Sequence, residues 1–471
     1  MTANDRGAAG RSSRRRFLAG LAGVGGVALA GCSALPWNDE TSSSVRFSAG
    51  DVEAALEDVD PVEFSWPVPV RPDSTALEAA LERVDTLLAE VPDGLDPEDV
   101  PNGVVRNGIV EQRDEAVAGR DDAADATGDA QYRALRESRS ARQAARHALT
   151  SWLAVRFEDE DDTDRRTRLL EELRDERGSV RSVARDRHDG IEYRGTDTGD
   201  GRLRASLYAY RRESDLGRAA ATLDRWSVAA SDDPLELGEG AGTLEHATAT
   251  VDVWEHLDER YRADLQDDGA DLEPAFEDAL ERSIEAADAA DFPEQDEEWL
   301  EGVGLGDLDD SYLELTVWRA GQPVDSARKR LKTAADDGEL GTALYRGLEF
   351  EVAHRAFESV RDRIAGGEFG DPSLEDVLAE RTAALAAAEE IRDLEVAGEP
   401  VSPSSPSLAA YVLAETLRGI EWADDGLRRA AERDPETNVS LGDQYRDYAI
   451  ARGRLEGFGE AVETFRGRVL E

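Results

Sequence analysis

Thiol chemistry is almost absent from this chain: 471 residues contain one cysteine (Cys32), one methionine (Met1) and two lysines (Lys329, Lys332). A single thiol excludes internal disulfides, Cys-ligated zinc sites, iron–sulfur clusters and blue-copper centres. No Gly-rich loop precedes Lys and Ser or Thr, no His pair flanks Glu at metalloprotease spacing, and no serine sits in a nucleophile elbow. Gly302, Gly304 and Gly306 lack the final glycine of the dinucleotide fingerprint and follow no strand, so that run reads as a linker. Strand patterning is equally sparse, and no βαβ alternation appears, which counts against two-lobed α/β solute-binding folds.

Acid is what the chain has in excess, 104 Asp and Glu against 55 Lys and Arg for a formal net charge of −49. The N-terminus reverses this sign. Residues 1–31 carry five arginines and one aspartate, a net +4, so the following 440 residues stand at −53. Behind the basic stretch, residues 17–31 are small and apolar and would span about 22 Å as a helix. That falls short of the roughly 30 Å bilayer core, so the segment reads as a signal h-region. Paired Arg14 and Arg15 followed by Phe17 and Leu18, and Leu29-Ala30-Gly31 ahead of Cys32, resemble the signal of twin-arginine-exported lipoproteins. Ala19 departs from the pattern, which often has lysine there. The resemblance covers residues 13–32 only. It implies export in folded form, cleavage before Cys32 and diacylglyceryl attachment to its sulfur, leaving the protein on the outer face of the cytoplasmic membrane.

The acid load, with lysine scarce, resembles proteins of haloarchaea. At molar salt the Debye length is about 3 Å, so self-repulsion is screened. Acidity on this scale also argues against nucleic acid as a partner.

Helical periodicity dominates the remainder. Leu77, Leu81, Val84, Leu88 and Val91 make one stripe, with Thr75 and Glu78 as a capping box. Leu244, Ala247, Val251, Trp254, Asp258, Tyr261 and Leu265 make a second, and Leu441 to Val469 a third, in which Gly453, Gly457 and Gly459 raise the question of a break; one long helix is the simpler reading. The expected fold is all-α, with about eleven long amphipathic antiparallel helices in a bundle or stacked hairpins. Residues 191–210 and 312–318 are the two places where a hairpin or strand is expected. The expected layout is a signal over 1–31, a lipidated tether over 32–72, and helical regions over 73–300 and 301–471.

Few constellations carry chemistry. Glu351 and His354 form the i, i+3 pair used in di-iron carboxylate bundles, but no second pair exists, and His354 lies between Phe350 and Phe357 on an apolar stripe. A packed histidine is therefore the better reading than a metal ligand. No catalytic residue and no cofactor are identified. Residues 131–226 hold 21 arginines against 19 acids, including Arg133, Arg136, Arg139, Arg142 and Arg146. These serve either as a docking surface for an acidic partner or as partners for acids on adjacent helices, the latter favoured. Asn438-Val439-Ser440 is the only glycosylation sequon and is expected in a loop. Together these features describe a membrane-anchored surface lipoprotein whose helical ectodomain binds or scaffolds, with a cell-surface protein or polymer as the kind of partner. Metal or small-molecule capture and surface hydrolysis are the alternatives.

Overall fold

The computed structural model describes residues 46–57, 59–156, 163–226, 233–296, 298–306, 308–370, 372–392, 395–396, 399–400 and 406–470. The signal motif, Cys32 and the linker residues 401–405 lie outside them. Strand β1 (Arg46–Ser48) leads into α1 (Ala49–Leu56), followed by α2 (Ser74–Leu88), α3 (Gly103–Ala124), α4 (Ala130–Val155) and α5 (Thr163–Asp189). Then come β2 (Arg194–Gly195), α6 (Gly199–Arg225), α7 (Pro234–Leu265), β3 (Ala270–Asp271), α8 (Glu273–Ala289), α9 (Trp299–Gly302), α10 (Ser311–Asp336), α11 (Leu340–Ala365) and α12 (Leu374–Arg392). The chain closes with β4 (Glu395–Val396), β5 (Glu399–Pro400), α13 (Leu408–Ala431), β6 (Asn438–Ser440), α14 (Gly442–Glu456) and α15 (Phe458–Leu470). The protein is thus all-α, its described strands forming only two-stranded antiparallel pairs, β1 with β6, β2 with β3 and β4 with β5. No helix among the described residues is long and apolar enough to cross a membrane.

Local signals account for many helix starts. Ser48, Asn102, Thr198, Asp233, Asp310 and Ser407 each accept a backbone N–H of the first turn. α2 is different. Asp73 rather than Thr75 occupies its N-cap, without a side-chain bond, and the Asp73 amide donates to His256 Nε2 on α7 at 3.0 Å. A tertiary contact has replaced the expected capping box. The other corrections have the same origin. Residues 199–225 and 311–336 are helices rather than strand segments, since Tyr312, Thr316, Val317, Ala320 and Val324 form a buried helical stripe. Ordered structure also starts before residue 73: α1 packs on α13, and Ala49, Val52 and Val70 are buried.

α4 lies along α3 and α7, α5 along α6 and α7, and on the other side α10, α14 and α15 surround α11. α6 joins the two groups, touching α5 and α7 on one flank and α11, α13 and α15 on the other. Helical regions one and two therefore share a core across residue 300. Trp299 is itself fully buried among Phe292, Trp318 and Phe357. Close approach of α7 to α4 depends on glycine: a Cβ on Gly238 would lie 2.0 Å from Ser151 Oγ and 2.7 Å from the His147 carbonyl oxygen. The C-terminal stripe breaks after Glu456 and Phe458 starts a separate helix, so Gly457 ends one helix, while Gly453 and Gly459 are tolerated inside α14 and α15.

Candidate functional site

Arginines of the cationic segment are spent mainly between helices. Arg136 and Arg139 on α4 each approach Asp215 on α6 at 3.2 Å, Arg142 meets Glu245 on α7 at 2.7 Å, and Arg146 meets Glu176 on α5 at 3.3 Å. Arg133 pairs along its own helix with Glu137. Burial pushes the Asp215 carboxyl upward, but Arg136, Arg139 and Arg211 more than offset this and hold it well below the usual carboxylate range. Such closed pairs leave little charge free for docking.

The five histidines are dispersed. His147 and His246 are each lowered to about 4 by burial, His256 accepts the Asp73 amide, and His188 Nε2 lies 3.2 Å from Glu339. His354 stacks on Phe350 with ring centroids 5.7 Å apart. Its neighbour Glu351 accepts Arg355 at 2.5 Å and Arg468 at 2.6 Å. Among the described residues no three His, Cys, Asp or Glu side chains are grouped to hold a metal. Asn438 is exposed, on strand β6 rather than in a loop, with Val439 buried beside it.

A second polar network keys the two helical groups together. Glu213 on α6 is 2 % exposed and accepts Gly341 N at 3.0 Å, Thr342 N at 2.6 Å and Tyr193 Oη at 2.8 Å. It thereby caps α11, whose own N-cap Glu339 makes no side-chain capping bond. Nearby, Tyr210 stacks on Tyr345 at 4.1 Å, Tyr345 Oη donates to Glu415 at 2.6 Å, and Arg211 Nη1 donates to Tyr411 Oη at 2.6 Å. These groups saturate one another and are structural.

One cleft, of about 240 Å³, has free functionality. Its walls come from the turn after α5 (Gly190, Ile191, Glu192), from β2 (Arg194), from Tyr208 and Arg212 on α6, and from the last turns of α7 with the following turn. Helical geometry assembles them: Tyr208 and Arg212 are four apart, while Asp258, Tyr261, Arg262 and Leu265 follow the i, i+3, i+4, i+7 rule on one face. At the bottom Arg212, 5 % exposed, donates Nε and Nη2 to Asp258 at 2.9 and 3.1 Å, and Tyr208 Oη donates to the same carboxylate. Tyr208 and Tyr261 stack with centroids 3.8 Å apart. Burial raises both phenols, Tyr261 to about 12. Arg212 Nη1 has no hydrogen-bond partner.

At the mouth, Gln266 has φ 47° and ψ −125°, the first central position of a type II′ turn closed by Asp268 N donating to Leu265 O at 3.0 Å. It is the only non-glycine residue at positive φ among those described. Such a conformation costs about 1–3 kcal/mol and favours glycine. Motif reading missed this cleft, since only Asp258, as the single polar member of an apolar stripe, signalled it.

Residues 75–268 match the model of one family, Domain of unknown function (DUF8262). Residues 273–467 match a second, Domain of unknown function (DUF8264). Their limits meet just after the cleft, so all its lining residues except Gly269 fall within the first match, while Glu213 reaches from the first into the second. No curated protein and no solved structure matches the chain.

Proposed function

We propose that this chain is a Tat-exported lipoprotein of a halophile, held by lipid on Cys32 at the outer face of the cytoplasmic membrane, and that its helical body works by binding rather than by catalysis. The observation that carries the binding reading is the dispersal of its chemistry. Histidines sit on α4, α5, α7 and α11, each with its own packing or partner, and the buried carboxylates Asp215, Glu245 and Glu351 are neutralised by arginines. A hydrolytic site calls for a nucleophile, a base and an orienting group converging within hydrogen-bond reach. Capture of a small molecule is favoured over a purely scaffolding role by the cleft beneath Gln266, where polar groups converge around unspent arginine.

Mass spectrometry of the native protein from membranes, in molar salt, compares wild type with Cys32→Ser. A mature N-terminus at Cys32 carrying a diacylglyceryl-sized mass that the variant lacks supports the anchor. A native chain that begins before residue 32 and carries no lipid overturns it.

A further inference from the structure

We infer that the cleft between α6 and α7 binds a small organic monoanion, a monocarboxylate, through Arg212 and Arg262. This deepens the capture reading above and does not depend on the lipid anchor.

The charge balance is the first reason. Arg194, Arg212 and Arg262 line the cleft against Glu192 and Asp258, an excess of one positive charge in a chain at −49. Asp258 engages Nε and Nη2 of Arg212 and leaves Nη1 without a partner, although the side chain is nearly all buried. A buried guanidinium nitrogen without an acceptor bears the desolvation cost of an unmade hydrogen bond. A carboxylate oxygen is the acceptor that returns most of this, because the bond is charge-assisted. Arg262, exposed at the rim and without an ion pair among the described residues, supplies the second cation.

Size and shape narrow the class. A volume of about 240 Å³ lies below the roughly 300–1,000 Å³ of drug-sized sites. The lining is mixed, Ile191, Leu265 and the stacked tyrosines standing with the charged groups, which suits a carboxylate bearing a short apolar body. Phosphate, carrying more than one negative charge near neutrality, meets Asp258 and Glu192 at close quarters and is disfavoured. Nη1 has almost no accessible surface, so a carboxylate reaches it only with a side-chain rearrangement at Arg212, while Arg262 and Gln266 are already exposed. The strained Gln266 turn marks that mouth as the place where the backbone departs from its easiest geometry.

The test is saturation-transfer NMR on the full chain in molar potassium chloride, with propionate, benzoate and neutral benzamide observed directly and inorganic phosphate, which has no carbon-bound proton, read as a competitor of benzoate. Saturable binding of a carboxylate, with benzamide and phosphate at least about tenfold weaker, is expected. Arg262→Ala, a change at an exposed position, weakens the carboxylate about tenfold. Arg212→Lys retains a charge for Asp258, removes Nη1 and abolishes binding; if that variant does not fold, Arg262→Ala decides. The proposal is overturned if neither carboxylate saturates, if benzamide or phosphate binds as well, or if Arg262→Ala has no effect. Each of these outcomes leaves the Cys32 measurement untouched.

Discussion

Replacing Glu213 by alanine removes the carboxylate that α6 lends to the first amides of α11. Three donors then lose their acceptor: the amides of Gly341 and Thr342, and the Tyr193 hydroxyl, which keeps its contact with the Gly338 carbonyl at 2.9 Å. Each amide left unpaired costs about 1–3 kcal/mol, and the favourable meeting of a carboxylate with the helix N-terminus, about 0.3–1 kcal/mol or more when buried, is lost as well. Opposing this, burial raises the Glu213 carboxyl above its ordinary value despite the three bonds, so part of the loss returns as relieved desolvation. A net destabilisation of about 3 kcal/mol follows, and about half that for Glu213→Gln, which keeps one good acceptor. Urea unfolding in molar salt, followed by circular dichroism, measures it. Because Glu213 joins the segments matched by the two families, Glu213→Ala also separates one transition into two, seen as a lower m for the first. A midpoint and slope unchanged from wild type would refute the view that this carboxylate keys the halves together.

Gly238→Ala places a methyl within 2.0 Å of Ser151 Oγ and against the His147 backbone, so α4 and α7 must separate; a loss of about 3 kcal/mol in the same unfolding assay is expected. Gln266→Gly removes the strained φ of the turn after α7 and raises stability by about 1 kcal/mol, read as a higher melting temperature. His147 and His246 are lowered to about 4 when folded against an ordinary 6.5, so between those pH values the unfolded chain binds protons the folded one does not. Stability is therefore complete above about pH 6.5 and falls as pH drops toward 4, by up to about 3 kcal/mol for each histidine, and His147→Gln makes the pH profile shallower. Moving from molar to about 0.1 M salt extends the Debye length from about 3 to about 10 Å, so self-repulsion at net −49 lowers the melting temperature; no change would remove the case for a halophilic setting.

The stripes from Leu77 to Leu88 and from Leu244 to Leu265 were legible as helices because a 3.6-residue period needs only the identities of residues close in sequence, and α2 and α7 bear them out. Arginine pairing was legible too, as the favoured reading of 21 arginines against 19 acids over residues 131–226, although Asp215, Glu245 and Glu176 as the particular partners were not. Local reading failed where long-range packing outweighed residue preference. Tyr312 and Val317 favour strands, yet they serve a buried face of α10 in which Tyr312 donates to the Gly442 carbonyl, 130 residues away. Residues 194–195 found their strand partner at 270–271 across two intervening helices, a pairing no short window contains. The cleft belongs to the same class. Arg212 and Asp258 stand 46 residues apart on different helices, and only the packing of α6 against α7 brings them within hydrogen-bond distance and leaves Nη1 without a partner. Sequence alone determined the clearly striped helices, the acid load and the motif at Cys32, since each rests on composition or short spacing; tertiary structure decided which charges were cancelled and which were left over.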